Sequence, residues 1–173
     1  MKKQTKRKIE LILVNGLIFF IQIVFFTFIH EFGHYLSAVL LGFKNVELFI
    51  HPLGVATAIS DPIVYDANAY RIFAVSGSLF DLPCILISLY YGKKKRILGS
   101  YFASWVMLFV EELSWAISPI IECGDGYLLL KHTPDLNSEL FILTFFTIFV
   151  FSFILFNLDF HNYVKKGVIN LEK

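Results

Sequence analysis

Four apolar runs, each about twenty residues or longer, bound what this chain can fold into. A helix needs about 20 mostly apolar residues to cross the hydrocarbon layer of a bilayer. Backbone polar groups in lipid must also find partners within the protein, which favours helices over open strands. The runs cover about residues 9–41, 71–91, 97–117 and 140–160. The first is overlong, so it must tilt, bend or emerge from the bilayer. Of the 173 residues, 57% are hydrophobic and 17% charged, which leaves no room for a sizeable soluble domain. The expected fold is a single all-α integral membrane domain over residues 1–173 with about four transmembrane helices. No internal repeat or low-complexity linker divides it.

Cations cluster beside the runs. Lys2, Lys3, Lys6, Arg7 and Lys8 precede the first, Lys93, Lys94, Lys95 and Arg96 follow the second, and Lys165, Lys166 and Lys173 follow the fourth. With four spans all three clusters share one side, and the other side holds only Lys44, Lys131 and, at its border, Arg71. Cytoplasmic loops carry the excess of Lys and Arg. The expectation is a multi-pass protein of the cell membrane with both termini in the cytoplasm. Cations so placed orient a membrane protein and give no sign of nucleic-acid binding. The charged N-terminus resembles a signal peptide, but its apolar stretch is too long and no small-residue cleavage site follows, so it reads as an uncleaved span. Cys84, inside a run, and Cys123 form no disulfide framework.

Between the first two runs, "NVELFIHPLGVATAI" is rich in β-branched and aromatic residues and broken by Pro52 and Gly54. It reads as a membrane-associated β-hairpin or as an ordinary interfacial loop, and composition leaves both open.

Late in the first run stands His30-Glu31-Phe32-Gly33-His34, a match to H-E-x-x-H. Residues four apart share a helix face, so both imidazoles can reach one zinc ion at about 2.0–2.1 Å. Glu31, one step round, can reach a metal-bound water and act as its general base. The bland alternative is two histidines hydrogen-bonded within a bundle. An ionisable residue in mid-bilayer costs roughly 2.5–3.5 kcal/mol on insertion scales, and three in five positions call for a compensating partner. One zinc per chain supplies it. Zinc then needs a third protein ligand and an open position. Asp125 follows the third run, Glu111 and Glu112 lie within it, Asp81 lies within the second, and His51, His132 and Cys123 lie in loops. Asp125-Gly126 is also a common turn pair, so spacing leaves Asp125 only slightly ahead.

These features together resemble the site-2 protease family of intramembrane zinc metalloproteases (peptidase family M50). His30 to His34 matches its first motif. "LGFKNVELFIHPLGVATAI" is similar to the membrane-associated hairpin that follows it there. "VSGSLFDL" (Val75 to Leu82) resembles its small-Gly-Pro-x-x-Asn motif, and "SPIIECGDGYLL" (Ser118 to Leu129) its Pro-x-x-x-x-Asp-Gly segment. The likeness covers about three-quarters of the chain, in the family's order. It implies a three-helix core with extra spans, zinc on His30, His34 and Asp125, and Glu31 as general base. It implies hydrolysis of a peptide bond within or beside a transmembrane segment of another, membrane-anchored protein. The hairpin would pair with unwound substrate as an added strand. Ser78 stands where the family has Pro and Asp81 where it has Asn; with Gly54 in the hairpin turn they are the expected substrate contacts. Pro119 sits one residue further from the Asp than the family spacing. Much of the family carries its zinc nearer the cytoplasm, whereas the charge clusters here put the site towards the other face. Two alternatives stand beside this reading. One is a metalloprotease of another type with Glu111 or Glu112 as third ligand. The other is a non-catalytic zinc-containing membrane protein that binds a partner helix.

Overall fold

A computed structural model describes residues 3–51, 54–59 and 66–171. Lys2, Pro52 and Lys173 lie outside the described residues, as do the side chains of Lys3, Lys6, Arg7, His51 and Lys166. The order is α1 (Lys3–Leu40), β1 (Val46–His51), β2 (Gly54–Ile59), α2 (Ala67–Lys95), α3 (Leu98–Ile117), α4 (Asp125–Lys131) and α5 (Ser138–Leu171). Helices α1, α2 and α3 pack on one another, α5 lies along α3, and short α4 tucks against α2 and α3.

Three segments are long and apolar enough to cross a membrane: Lys8–Leu40, Ala67–Lys95 and Ser138–Lys165. They coincide with the first, second and fourth expected runs. The third run forms α3, but Glu111 and Glu112 interrupt its apolar character, and it is the inner helix of the bundle rather than an apolar rod. The outer helices leave large apolar side chains uncovered, among them Ile12, Phe20, Leu79 and Leu140, each more than 60% exposed. Such a surface fits a lipid environment. At 1.5 Å per residue, α1 is about 57 Å long, well beyond a hydrocarbon layer of about 30 Å.

The helices approach closely where side chains are smallest. A Cβ on Gly33 would lie 2.7 Å from the Ser76 carbonyl oxygen, so this glycine sets the α1–α2 contact. Without a hydrophobic drive in lipid, such small-residue contacts are how spans associate. The α3–α5 seam is built the other way, from large rings. Trp105 and Phe109 meet Phe156, and Trp115 stacks on Phe145 at 5.4 Å. Much of the phenylalanine content is spent there.

Helix α1 ends in a Schellman turn. Gly42 takes φ +78°, Phe43 N–H donates to the Ala38 carbonyl, and Gly42 N–H donates to that of Val39. Phe43 then packs with Ala38 and Phe73. This stop sends the chain straight into the hairpin. Its strands pair antiparallel from Val46↔Ile59 to His51↔Gly54, so of the two readings the sequence left open the structure takes the hairpin.

Candidate metal centre

His30 and His34 lie one turn apart on the face of α1 that meets α2. Nδ1 of His34 sits 2.8 Å from the Phe73 carbonyl oxygen, which can only accept, so Nδ1 carries the proton and Nε2 the lone pair. Nδ1 of His30 faces two carboxylates, Glu111 Oε1 at 2.9 Å and Asp81 Oδ2 at 3.1 Å. The same logic places a proton on its Nδ1, so its Nε2 carries a lone pair whenever the ring is neutral.

The two Nε2 atoms lie 3.1 Å apart, and Asp125 Oδ2 lies 3.2 Å from that of His30 and 3.1 Å from that of His34. Three electron-pair donors thus form a nearly equilateral triangle. Something electropositive must stand among them, a shared proton or a cation. Ligands bound at about 2.0–2.1 Å around tetrahedral zinc lie roughly 3.3 Å apart, so the triangle fits a metal with little adjustment. Two imidazole nitrogens and one carboxylate oxygen are also a donor set that such ions take. His30, His34 and Asp125 can therefore hold a metal ion, as can His30, Asp81 and Glu111 on the far side of the ring. Burial pushes the Asp125 carboxyl up, and the facing His30 and His34 rings, when protonated, pull it down further, to about 2. It is ionised at neutral pH.

Space at the triangle comes from Gly77. A Cβ there would lie 2.5 Å from Nε2 of both histidines. Asp125 is delivered by a tight turn. Ser118 ends α3, Gly124 takes φ +82°, and Ser118 Oγ accepts from the Tyr127 N–H at 2.9 Å, capping α4 from outside. Gly126 is required because a Cβ would lie 2.5 Å from that Oγ and 2.8 Å from the Trp115 carbonyl oxygen. The Asp-Gly pair is thus both a turn and the mount that brings Asp125 to the triangle. On its other side α4 is held by His132, which stacks on Tyr70 at 4.3 Å while its carbonyl accepts from Arg71 Nε at 2.6 Å.

Glu31 faces the hairpin. Its Oε2 accepts from the Thr57 N–H at 2.8 Å, and Thr57 Oγ1 donates to the Glu31 carbonyl at 2.8 Å. One carboxylate oxygen is thereby fixed by strand β2.

The remaining candidates fall as follows. Asp81, fully buried, lies behind His30, and Ser78 donates to Glu111 Oε2 while accepting from Trp115 Nε1, both at 2.9 Å. Gly54 is at the hairpin tip, paired with His51. Glu111 reaches His30 at the nitrogen turned away from Asp125. Glu112 turns to α5 and accepts from Ser152 at 2.5 Å, outside both ligand groups. His132 is engaged on Tyr70, and Cys123 is an exposed free thiol. The sequence reading overlooked Gly77, Thr57, the Phe73 carbonyl and Ser118. Of these only Gly77, a glycine between serines in a span, carried a local signal. No family model, curated protein or solved structure matches the chain.

Proposed function

We propose that the chain is an intramembrane zinc metalloendopeptidase of the site-2 protease type, hydrolysing a peptide bond within or beside a transmembrane segment of a membrane-anchored protein. The observation that carries this is the triangle of His30 Nε2, His34 Nε2 and Asp125 Oδ2, its two histidines on a helix that also bears Glu31 in H-E-x-x-H order. Among divalent ions, zinc best suits two imidazoles and one carboxylate with a fourth position open. When bound, zinc lowers the pKa of its water towards about 7 and polarises the carbonyl under attack.

In this reading Glu31 accepts the proton of the attacking water and passes it to the leaving amine. Its Oε2 bond to Thr57 leaves Oε1 for that work. Gly77 keeps the approach to the triangle clear. The hairpin offers strand-edge donors and acceptors to a substrate that must unwind before it is cut. The inner helix α3 is the fourth span, shielded from lipid by its neighbours, so its two glutamates need not face hydrocarbon. Cation clusters orient the bundle with both termini in the cytoplasm.

Zinc analysis of the purified chain beside His34→Ala and Asp125→Ala tests the centre: about one zinc in the wild type and loss in both variants is expected. Retention in Asp125→Ala would sink the third ligand. Glu31→Gln tests the activity. It should keep its zinc, while sequencing of new N-termini in host membranes finds cuts inside spans only with the wild type. Equal patterns, with a partner still co-purifying with both forms, would favour the non-catalytic zinc protein instead.

A further inference from the structure

The two histidines of the triangle are held by different kinds of partner. His34 Nδ1 gives its proton to a main-chain carbonyl, that of Phe73. His30 Nδ1 faces two carboxylates, Glu111 Oε1 at 2.9 Å and Asp81 Oδ2 at 3.1 Å. Both acids are deeply buried, Asp81 at 0% and Glu111 at 6% exposure. Burying carboxylates away from water is costly unless something positive or proton-donating meets them. Among the described residues no lysine or arginine pairs with either acid; the His30 ring is the polar group they share.

Glu111 is itself fixed from behind. Its other oxygen, Oε2, accepts from Ser78 Oγ at 2.9 Å, and that hydroxyl accepts from Trp115 Nε1 at 2.9 Å. A chain of hydrogen bonds therefore runs from Trp115 through Ser78 and Glu111 to His30, crossing α3, α2 and α1. It ends on the nitrogen opposite the one that meets Asp125. Asp81 joins at the same point, with its second oxygen buried and unpartnered.

We propose that Glu111, seconded by Asp81, is a positioning residue for the metal. The pair holds His30 in the Nδ1–H tautomer, fixes the plane of its ring, and turns a more basic Nε2 towards the ion. Carboxylates that accept from a ligand histidine do both of these things at metal sites. Two acids in place of one carbonyl make His30 the strongly held ligand and His34 the ordinary one. The inference rests on the metal reading above, but not on proteolysis.

The test uses the full chain in detergent, stripped of metal and titrated with Co²⁺ alone against a chromophoric chelator, with the visible Co²⁺ spectrum recorded. The wild type should take up one Co²⁺. Glu111→Gln and Asp81→Asn should each still bind one, about 10- to 100-fold more weakly and with a shifted spectrum, because the amide can turn its NH₂ to Nδ1 and select the wrong tautomer. Ser78→Ala frees Glu111 without touching His30 and should give a smaller loss in the same direction, even if Glu111→Gln misfolds. Unchanged affinity and spectrum in Glu111→Gln and Asp81→Asn would overturn the proposal. So would two Co²⁺ in the wild type and one in Glu111→Gln, which would make the acids ligands of a second ion. If the wild type binds no Co²⁺, the metal reading falls and this proposal with it. His34→Ala, which removes a ligand but not the relay, separates the cases by abolishing binding wherever the metal reading holds.

Discussion

Gly77 shows how much of a site can depend on an atom that is missing. Between two serines in a span it reads as a packing glycine, the kind that lets helices approach. Its surroundings say more, since a Cβ would stand 2.5 Å from Nε2 of both His30 and His34. Gly77→Ala should therefore weaken zinc binding about tenfold or more, overpacking of this kind costing roughly 1–3 kcal/mol. The same clash is present in the metal-stripped chain, so its melting temperature should fall too, by less than the clash alone would give because alanine is the better helix former by about 1 kcal/mol. A chelator-competition titration beside a thermal melt checks both halves; a lowered melting temperature with unchanged zinc affinity would mean that Gly77 serves packing alone. The pairing of His30 with His34 was readable in the sequence because it is local, two residues four apart on one helix. Asp125 was only slightly ahead of its rivals because its approach depends on a turn whose tightness is set by Ser118 and Gly126. Glu111 was offered as a ligand and does reach His30, but at the other nitrogen. Which side of a ring an acid meets is decided by how three helices pack, and no spacing records it.

At the scale of elements, the hairpin and α4 bring Thr57 and Asp125 to α1. The Thr57 N–H goes to Glu31, so it cannot also serve the β1–β2 ladder. Antiparallel pairing alternates every residue between bonded and unbonded positions, which turns Val55, Thr57 and Ile59 towards the same outer edge. The richness in β-branched and aromatic residues was legible; the helix that this edge meets was not. Thr57→Val keeps the N–H bond and removes the hydroxyl bond to the Glu31 carbonyl. It should loosen the hairpin by about 1 kcal/mol, seen as roughly fivefold faster amide exchange in residues 46–51 and 54–59, with zinc content unchanged. Exchange at the wild-type rate would show that the hydroxyl contributes nothing to docking. Ser118 does for α4 what Thr57 does for the hairpin. Ser118→Ala strips the cap from the Tyr127 N–H, and a loss of about 1 kcal/mol in mounting Asp125 should weaken zinc binding roughly fivefold. Zinc affinity equal to wild type would place the rigidity of the mount in Gly124, Gly126 and the Tyr70–His132 stack instead.

The whole molecule is polarised along the bundle. At one end Asn15 Oδ1 accepts from the Gly99 N–H, Lys93 pairs with Asp159, and Tyr101 stacks on Tyr163. The described members of the three cation clusters, Lys8, Lys93 to Lys95 and Lys165 in helices and Arg96 capping α2, lie at this end. At the other lie the hairpin, α4 and the metal triangle. His30 is roughly 33 Å along α1 from Lys8 and roughly 15 Å from Leu40, so the centre sits nearer the end poor in cations. If Lys and Arg orient the protein in the usual way, the triangle opens towards the outer face; the family resemblance implies the cytoplasmic one. Cys123 decides between them. It lies two residues before Asp125, it is exposed, and Cys84 is the only other thiol. In a Cys84→Ser chain, a membrane-impermeant maleimide should label Cys123 in right-side-out vesicles and not in sealed inside-out ones. Labelling confined to inside-out vesicles would reverse the orientation and leave the site intact, because the triangle depends on how α1, α2 and α4 pack and not on which water they face.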